Sequence, residues 1–129
     1  MSDLTPRLGF PARRRLRKRR DFLAVQGKGR RFGGRNFLFF ARRRSDSGTS
    51  SVAAGARFGI TVTRKVGNAV TRNRIKRIVR EGCRRLADQF PAHLDVVIVA
   101  RAAATSATSG DALADLADLA RRLGAERPR

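Results

Sequence analysis

The residues best suited to bind a ligand lie in one basic segment, residues 63–85. Nine lysine and arginine side chains fall between positions 64 and 85, where Glu81 is the single acidic residue. Lysine and arginine side chains only donate hydrogen bonds and carry a positive charge, which suits them to phosphate groups. A segment this rich in cations predicts a polyanionic ligand, and RNA or DNA is the leading candidate.

The same segment carries the apolar period of an α-helix. Asn68 precedes the pattern and is a favourable N-cap, and Pro91 follows it, so the pattern predicts a helix from Asn68 to about Asp88. The cations occupy the other positions and are expected on the solvent side of this helix. Six apolar or small residues have the spacing of one buried helix face: Ile75, Ile78, Val79, Gly82, Cys83 and Leu86.

A second cationic region, residues 7–44, also contains aromatic rings. It has fifteen basic residues, one acid and six of the eight phenylalanines. Bases stack on aromatic rings while cations follow the phosphates, so this composition favours a surface for single-stranded nucleic acid. In a predicted strand over 35–42, alternation puts Phe37 and Phe39 on one face and Phe40 on the other. Most of these rings are expected in the core, and at least one on an open face of the sheet.

The sequence lacks a histidine pair for acid–base catalysis, a cysteine-rich metal site and any other recognisable catalytic constellation. Its single cysteine, Cys83, falls on the apolar helix face, where a small buried side chain is expected. Its single histidine, His93, is expected in a surface loop, and one histidine excludes a histidine pair. Asp111, Asp115 and Asp118 have helical spacing, for which a solvated helix face is favoured over a metal cluster. We therefore assign no catalytic residue and no metal ligand.

Length and charge bound the class of protein. The chain has 129 residues and a net charge of +20, which suits one small domain, covering 1–129, that a charge-neutralising partner would stabilise. No apolar run approaches the roughly 18 residues of a membrane span. The Arg-rich N-terminus lacks the apolar core of a secretory signal, so we expect a cytoplasmic location and no membrane partner.

The pattern along the chain predicts an α+β domain. The predicted elements are a short helix over 20–27, strands over 35–42, 57–63 and 95–100, the basic helix, and a second amphipathic helix over 109–123. Outside them we expect extended chain over 1–12, a loop over 45–56 and a tail over 124–129. A strand, the basic helix and a buried strand form a βαβ unit, so the prediction is a small sheet packed by helices.

Two parts of the sequence resemble a known family. Residues 65–77, Lys-Val-Gly-Asn-Ala-Val-Thr-Arg-Asn-Arg-Ile-Lys-Arg, are similar to the signature of the bacterial ribonuclease P protein subunit, whose Arg-Asn-Arg core falls on Arg72, Asn73 and Arg74. Residues 15–22, Arg-Leu-Arg-Lys-Arg-Arg-Asp-Phe, resemble the entry to that family's N-terminal helix. The order of elements, the length and the charge also agree.

The resemblance implies a fold and a function. The fold is similar to domain 2 of ribosomal protein S5, and the basic helix lies in its βαβ crossover. Proteins of this family bind a catalytic RNA, and the complex removes the 5′ leader of precursor tRNA with Mg²⁺ bound mainly by the RNA. The chain is thus expected to be a subunit of an endoribonuclease, with both RNAs as partners, no cofactor of its own and no obligate protein partner.

The resemblance also assigns residues to two surfaces. The surface for the catalytic RNA is expected to contain Arg72, Asn73, Arg74, Lys76, Arg77 and Arg80. The leader-binding cleft is expected to contain Phe22, Phe40, Arg64, Lys65 and Arg17. One position departs from the family, which often has a second aromatic residue four positions after Phe22, where this chain has Gln26.

Other interpretations stay open at this point. A ribosomal or other structural RNA-binding protein with no role in cleavage would have a similar composition. A nuclease that acts alone is a second alternative, although the sequence shows no catalytic constellation. Asn73 also has a structural interpretation, a hydrogen bond to the backbone near the helix start.

Overall fold

The computed structural model describes residues 15, 16, 18–43 and 55–125. The α-helices and β-strands of this part of the chain are, in order, α1 (Arg19–Lys28), β1 (Arg30–Gly33), β2 (Phe37–Arg43), β3 (Arg57–Thr61), α2 (Ala69–Leu86), β4 (Leu94–Ala100) and α3 (Ser109–Ala125). Two 3₁₀ turns, Ala87–Gln89 and Ala102–Ser106, follow α2 and β4. The predicted α+β class is confirmed.

The four strands form one sheet in the order β1-β2-β4-β3. β1 and β2 are antiparallel, as are β2 and β4, whereas β3 and β4 are parallel. Because α2 connects these two parallel neighbours, the predicted βαβ unit that carries the basic helix is confirmed. The apolar strand β4 lies between two partners, and its central residues Val96, Val97 and Ile98 are fully buried, as their continuous apolar run predicts.

Helices cover both faces of the sheet. On one face α2 and α3 pack on Phe37, Phe39, Val96 and Ile98, which belong to the main core. The predicted apolar face of α2 is buried there, and a Cβ atom on Gly82 would lie only 2.7 Å from Cδ1 of Leu116 in α3. On the other face α1 covers part of β2 and β4. A smaller cluster forms beneath it, with Leu16, Val25 and Val97 buried at its centre and Phe22, Phe40 and Val99 packed against them.

The element bounds differ from the predictions at several places. β1 was not predicted, because Phe32 is the single apolar side chain in its four residues. α3 continues through Gly124 to Ala125, so the predicted helix end at 123 is wrong by two residues, and the rest of the predicted tail, 126–129, lies outside the described residues. The predicted extended segment 1–12 and most of the predicted loop 45–56 lie outside the described residues, and Ala56 at the end of that loop is buried in the core.

Candidate nucleic-acid interface

Helix α2 presents cations on the sides that the core does not cover. Its N-cap is Asn68, as predicted, and the Oδ1 atom of Asn68 accepts a hydrogen bond of 2.9 Å from the backbone N–H of Thr71. Asn73 and Arg77 are exposed, and Lys76 and Arg80 are half-buried. No acidic residue lies in the first turn of the helix, where a negative charge would interact favourably with the positive end of the helix dipole. The beginning of α2 therefore combines the positive end of the dipole with basic side chains.

Two arginines of the predicted RNA surface also make structural hydrogen bonds. Nη1 of Arg74 donates to the carbonyl of Ala107 at 2.9 Å, and Nη2 donates to the carbonyl of Thr105 at 2.6 Å. Nε of Arg72 donates to the carbonyl of Gly67 at 3.1 Å. Arg74 therefore connects α2 to the segment that precedes α3. A guanidinium has five N–H donors, so these contacts leave further donors available to a phosphate. The contact of both arginines with RNA stays a prediction.

Asn73 lies between these two arginines and is exposed. The structural interpretation of Asn73 predicts a hydrogen bond to the backbone at the helix start. In the described part of the chain Asn73 makes no such bond, and Asn68 satisfies the N–H of Thr71 instead. The exposure of Asn73 is compatible with its predicted place on an RNA-binding surface.

The predicted aromatic cleft residues lie on the α1 side of the sheet. Phe22 on α1 and Phe40 on β2 are half-buried and pack against the same small cluster around Val97. By contrast, Phe37 and Phe39 are 1% and 3% exposed and belong to the main core, as strand alternation predicts. The alternation of the β2 rings between the two faces is thus confirmed, but the expected open face is wrong: α1 covers part of the second face, and no phenylalanine among the described residues is fully exposed.

The ring of Phe22 fits closely against β3. An added Cβ atom on Gly59 would lie 2.5 Å from Cζ and 2.7 Å from Cε2 of Phe22. A side chain at position 59 would therefore push the ring away from the sheet. The pairing of Phe22 with Gly59 was not predicted, because these residues are far apart in sequence and a strand glycine indicates only some close approach.

The predicted basic residues of the cleft belong to other segments than the two rings. Arg64 and Lys65 are exposed in the turn between β3 and α2. Arg17 lies outside the described residues. Gln26 is exposed one helical turn after Phe22 on α1, at the position where the family often has an aromatic residue.

An ion pair on the α1 side of the sheet was missed by sequence reasoning. Nε and Nη2 of Arg57 each donate a 2.9 Å hydrogen bond to a different carboxylate oxygen of Asp95. The hydrogen bond to Asp95 raises the pKa of Arg57 above its ordinary value, so its charge is permanent. Asp95 is 6% exposed. The sequence signal for this pair is the carboxylate of Asp95 near the start of an apolar strand, because a buried charge needs a partner of opposite charge.

The acidic residues of α3 have separate structural partners. Asp111 accepts a hydrogen bond from the backbone N–H of Thr108 at the helix start. Asp115 accepts one of 3.2 Å from Nδ2 of Asn36, and its pKa is raised mainly by burial. Asp118 pairs with the arginines one turn further along the helix. The contact of Asp115 attaches α3 to the turn between β1 and β2, whereas the other contacts lie within the helix or involve the residue that precedes it.

Two further properties concern the described residues as a set. No group of three His, Cys, Asp or Glu side chains among them could bind a metal ion together. No helix in these ranges is long and apolar enough to cross a membrane.

Cys83 is fully buried, and its burial raises the pKa of the thiol, so this side chain is part of the core.

The chain is similar in sequence to ribonuclease P protein components. The family model for ribonuclease P matches residues 10–124. The ribonuclease P protein component of Desulfovibrio desulfuricans is 38% identical over 121 residues, which cover 92% of this chain and 89% of that protein. The corresponding protein of Bartonella quintana is 49% identical over 94 residues, which cover 72% and 70%.

Solved structures of RNase P proteins from other bacteria share the fold. The RNase P protein of Thermotoga maritima superposes with a TM-score of 0.70 at 32% identity and covers 84% of this chain and 96% of that one. The RNase P protein of Staphylococcus aureus gives a TM-score of 0.70 at 28% identity, covering 84% and 94%. The family match spans α1 to α3 and includes both candidate surfaces, and on this basis the chain belongs to the ribonuclease P protein family.

Proposed function

We propose that this chain, as the protein subunit of ribonuclease P, binds the catalytic RNA along α2 and the 5′ leader of precursor tRNA across the α1 side of the sheet. The single observation that carries this proposal is the division of the domain into two surfaces. Exposed cations of α2 lie on one side of the sheet, and half-buried aromatic rings lie on the other.

The α1 side has the chemistry that an unpaired RNA strand needs. Phe22 and Phe40 combine an anchored ring with an accessible edge or face, and stacking of a base on such a ring is worth roughly 1–3 kcal/mol. Arg64 and Lys65, which follow β3, supply exposed cations for the phosphates of the leader. Stacking tolerates every base, so this surface suits leaders of differing sequence. A mature tRNA has no leader and would leave the surface unused.

The α2 side has the chemistry that a folded RNA backbone needs. Arg77 and Asn73 are exposed, and Arg72 and Arg74 keep donors beyond those used by the carbonyls. Each cation that contacts a phosphate releases condensed counterions, which makes the affinity depend steeply on salt. The chain has a net charge of +20, so binding to RNA also relieves its self-repulsion.

The cleavage chemistry is assigned to the RNA. The family resemblance implies Mg²⁺, which takes oxygen ligands in a near-octahedral arrangement. The carboxylates of Asp95, Asp111 and Asp118 are hydrogen-bonded to arginine side chains or to backbone N–H groups. These residues do not fit a resident Mg²⁺ site, so we assign no reaction step to a metal on this chain and expect Mg²⁺ on the RNA subunit.

Reconstitution with the catalytic RNA tests this function. We expect the complex to bind precursor tRNA at least about tenfold more tightly than mature tRNA, which corresponds to about 1.4 kcal/mol and to one stacked base. The RNA alone should discriminate less. Equal affinities of the complex for both tRNAs would contradict the leader assignment.

Two controls separate this function from its alternatives. Incubation of the protein with precursor tRNA and Mg²⁺, without the catalytic RNA, should give no cleavage, and cleavage would indicate a nuclease that acts alone. Sequencing of the RNA that co-purifies with the protein should return the catalytic RNA. Recovery of ribosomal RNA instead would indicate a structural RNA-binding protein.

A further inference from the structure

A groove runs along the outer edge of β3, on the side that does not pair with β4. Residues 15 and 16 reach this edge, where the backbone N–H of Leu16 donates a 2.8 Å hydrogen bond to the carbonyl of Phe58. The open space beside this contact is about 140 Å³. The described residues that line this β3-edge groove are Arg15, Leu16, Phe22, Phe58, Gly59, Ile60, Lys76 and Arg80.

The charges around the β3-edge groove have one sign. Lys76 and Arg80 are one helical turn apart on α2 and are half-buried on its flank, whereas Arg77 points to solvent. Arg15 lines the groove from the other side. None of the described lining residues is acidic, and in the described part of the chain neither Lys76 nor Arg80 has an ion-pair partner. Partly desolvated cations without a counter-charge attract an anion more strongly than exposed ones do.

The size of the groove limits what it can bind. Sites for drug-sized ligands measure about 300–1,000 Å³, so a space of about 140 Å³ does not enclose a whole nucleotide. It suits a phosphate group, while the attached sugar and base stay outside. The ring of Phe22 lines the same groove as the cations of α2 and also packs in the small cluster on the α1 side of the sheet.

We propose that the β3-edge groove is a binding site for one backbone phosphate of single-stranded RNA, between Lys76 and Arg80 of α2 and the Phe22 end of α1. This site deepens the proposed function, on which it rests, because it joins the α2 surface to the leader surface around the edge of the sheet. In this arrangement Lys76 and Arg80 face a different RNA segment from that bound by Asn73 and Arg77. An RNA strand that leaves the α1 side thus meets cations before it reaches the catalytic RNA.

NMR titration of the full-length chain tests the site at residue resolution. The probes are inorganic phosphate and single-stranded hexauridylate, added separately while backbone amide shifts are recorded. Both probes should shift the amides of Gly59 and Ile60, and the RNA should bind more tightly because its other groups contact the protein too. The Lys76→Met/Arg80→Met variant should lose these shifts and bind hexauridylate about tenfold more weakly.

A matched variant controls for net charge. Arg85→Met/Arg101→Met removes two positive charges from exposed positions outside the groove and outside both proposed RNA surfaces. It should keep the Gly59 and Ile60 shifts and lose no more than about twofold in affinity. For the groove variant, the slope of log affinity against log salt should fall by about 0.7, the value for one phosphate of a single strand. Equal losses in both variants would overturn the site and indicate only long-range attraction.

Two more outcomes separate the site from other possibilities. Hexaglutamate is added as an acidic peptide, and tighter binding of it than of hexauridylate at Gly59 and Ile60 would overturn the RNA assignment. Precursor and mature tRNA affinities of the reconstituted wild-type complex are measured alongside. If the complex binds both tRNAs equally but phosphate still shifts the amides of Gly59 and Ile60, the leader assignment is wrong and the groove site stands. If these shifts are absent but the complex still prefers precursor tRNA, the groove site is wrong and the leader assignment stands.

Discussion

Phe22 of α1 lies so close to Gly59 of β3 that a methyl group on Gly59 would reach within 2.5 Å of the ring. The glycine therefore sets how deeply the ring of Phe22 enters the α1 side of the sheet. Leu16 restricts the same place, since its Cβ atom would be 3.0 Å from the added Cβ. The position of α1 on the sheet, and the shape of the leader surface, thus depend on the absence of a side chain at position 59.

Gly59→Ala is expected to displace Phe22 and to damage both stability and leader binding. Overpacking of a fitted site costs about 1–3 kcal/mol of unfolding free energy. The affinity of the reconstituted complex for precursor tRNA should fall, while that for mature tRNA should stay unchanged. Thermal unfolding of the free protein and the two tRNA affinities are the measurements.

Gly27→Ala is the matched control, because an added Cβ on Gly27 in α1 meets no atom within 4 Å. Alanine stabilises a helix interior by about 0.5–1 kcal/mol relative to glycine. This variant should therefore keep its precursor affinity and unfold at a slightly higher temperature. A Gly59→Ala protein that behaved like Gly27→Ala would show that the ring position does not matter for the leader.

Phe39→Ala should mainly reduce stability and Phe40→Ala should mainly reduce precursor tRNA affinity, although the two residues are neighbours. Phe39 is 3% exposed in the main core, so its removal should cost about 3–5 kcal/mol of stability. Phe40 is half-buried on the α1 side, so Phe40→Ala should cost less stability but weaken precursor binding by about tenfold or more. Melting temperature and the precursor-to-mature affinity ratio separate the two roles. A large loss of stability in Phe40→Ala without loss of discrimination would place Phe40 in the core alone.

Local periodicity explains why these two faces could be predicted from the sequence. The alternation in β2 and the helical spacing in α2 each depend on neighbouring residues, and both predicted faces are observed. β1 has too few apolar residues for a detectable period, and it exists because it pairs with β2. The ion pair between Arg57 and Asp95 joins residues 38 positions apart, so a local pattern could indicate that Asp95 needs a partner but could not identify Arg57 as that partner.

Asp95→Asn should strongly destabilise the protein, because it leaves Arg57 without its carboxylate partner. Removal of one member of a buried pair costs about 3–5 kcal/mol, and the partial exposure of Arg57 reduces this to roughly 2 kcal/mol. The double variant Arg57→Met/Asp95→Leu removes both charges and should recover most of this loss. Denaturant unfolding of the wild type, Asp95→Asn and the double variant measures these differences in unfolding free energy. A double variant no more stable than Asp95→Asn would mean that shape, rather than charge pairing, fixes this corner of the sheet.

Asp115→Asn should raise the melting temperature slightly at neutral pH. Burial raises the pKa of Asp115, so the folded protein prefers the protonated form. The stability contributed by this preference is present below the unfolded value of 3.8 and is lost as the pH rises through the higher folded value. Asparagine keeps an acceptor for Asn36 without the charge, and partial exposure limits the gain to about 1–2 °C.

The pH dependence of this gain is the deciding measurement. Melting temperatures of the wild type and Asp115→Asn should differ most near pH 7 and converge as the pH falls towards 3.8. A difference that is constant with pH would show that the carboxylate charge is not its cause.

The basic surface of α2 was predicted as a set, but the structure divides its members by their contacts. The carbonyl partners of Arg74 lie 31 and 33 residues further along the chain, which sequence spacing cannot reveal. The identity of a basic residue on a helix predicts a phosphate ligand, whereas its position beside another segment decides whether it also supports the fold. Arg74 and Arg77 are close in sequence and differ in this respect.

Arg74→Ala and Arg77→Ala should therefore differ in stability while both weaken RNA binding. Arg77 is exposed, so its removal should leave the melting temperature unchanged and lower the salt slope for binding the catalytic RNA by about 1. Arg74→Ala loses two charge-assisted hydrogen bonds to partly solvated carbonyls, so it should cost about 2 kcal/mol of stability. Arg74→Lys keeps the charge but loses the planar fork, so it should recover the salt slope and little of the stability. If Arg74→Ala unfolds at the wild-type temperature and differs from wild type only in its salt slope, Arg74 acts through RNA alone.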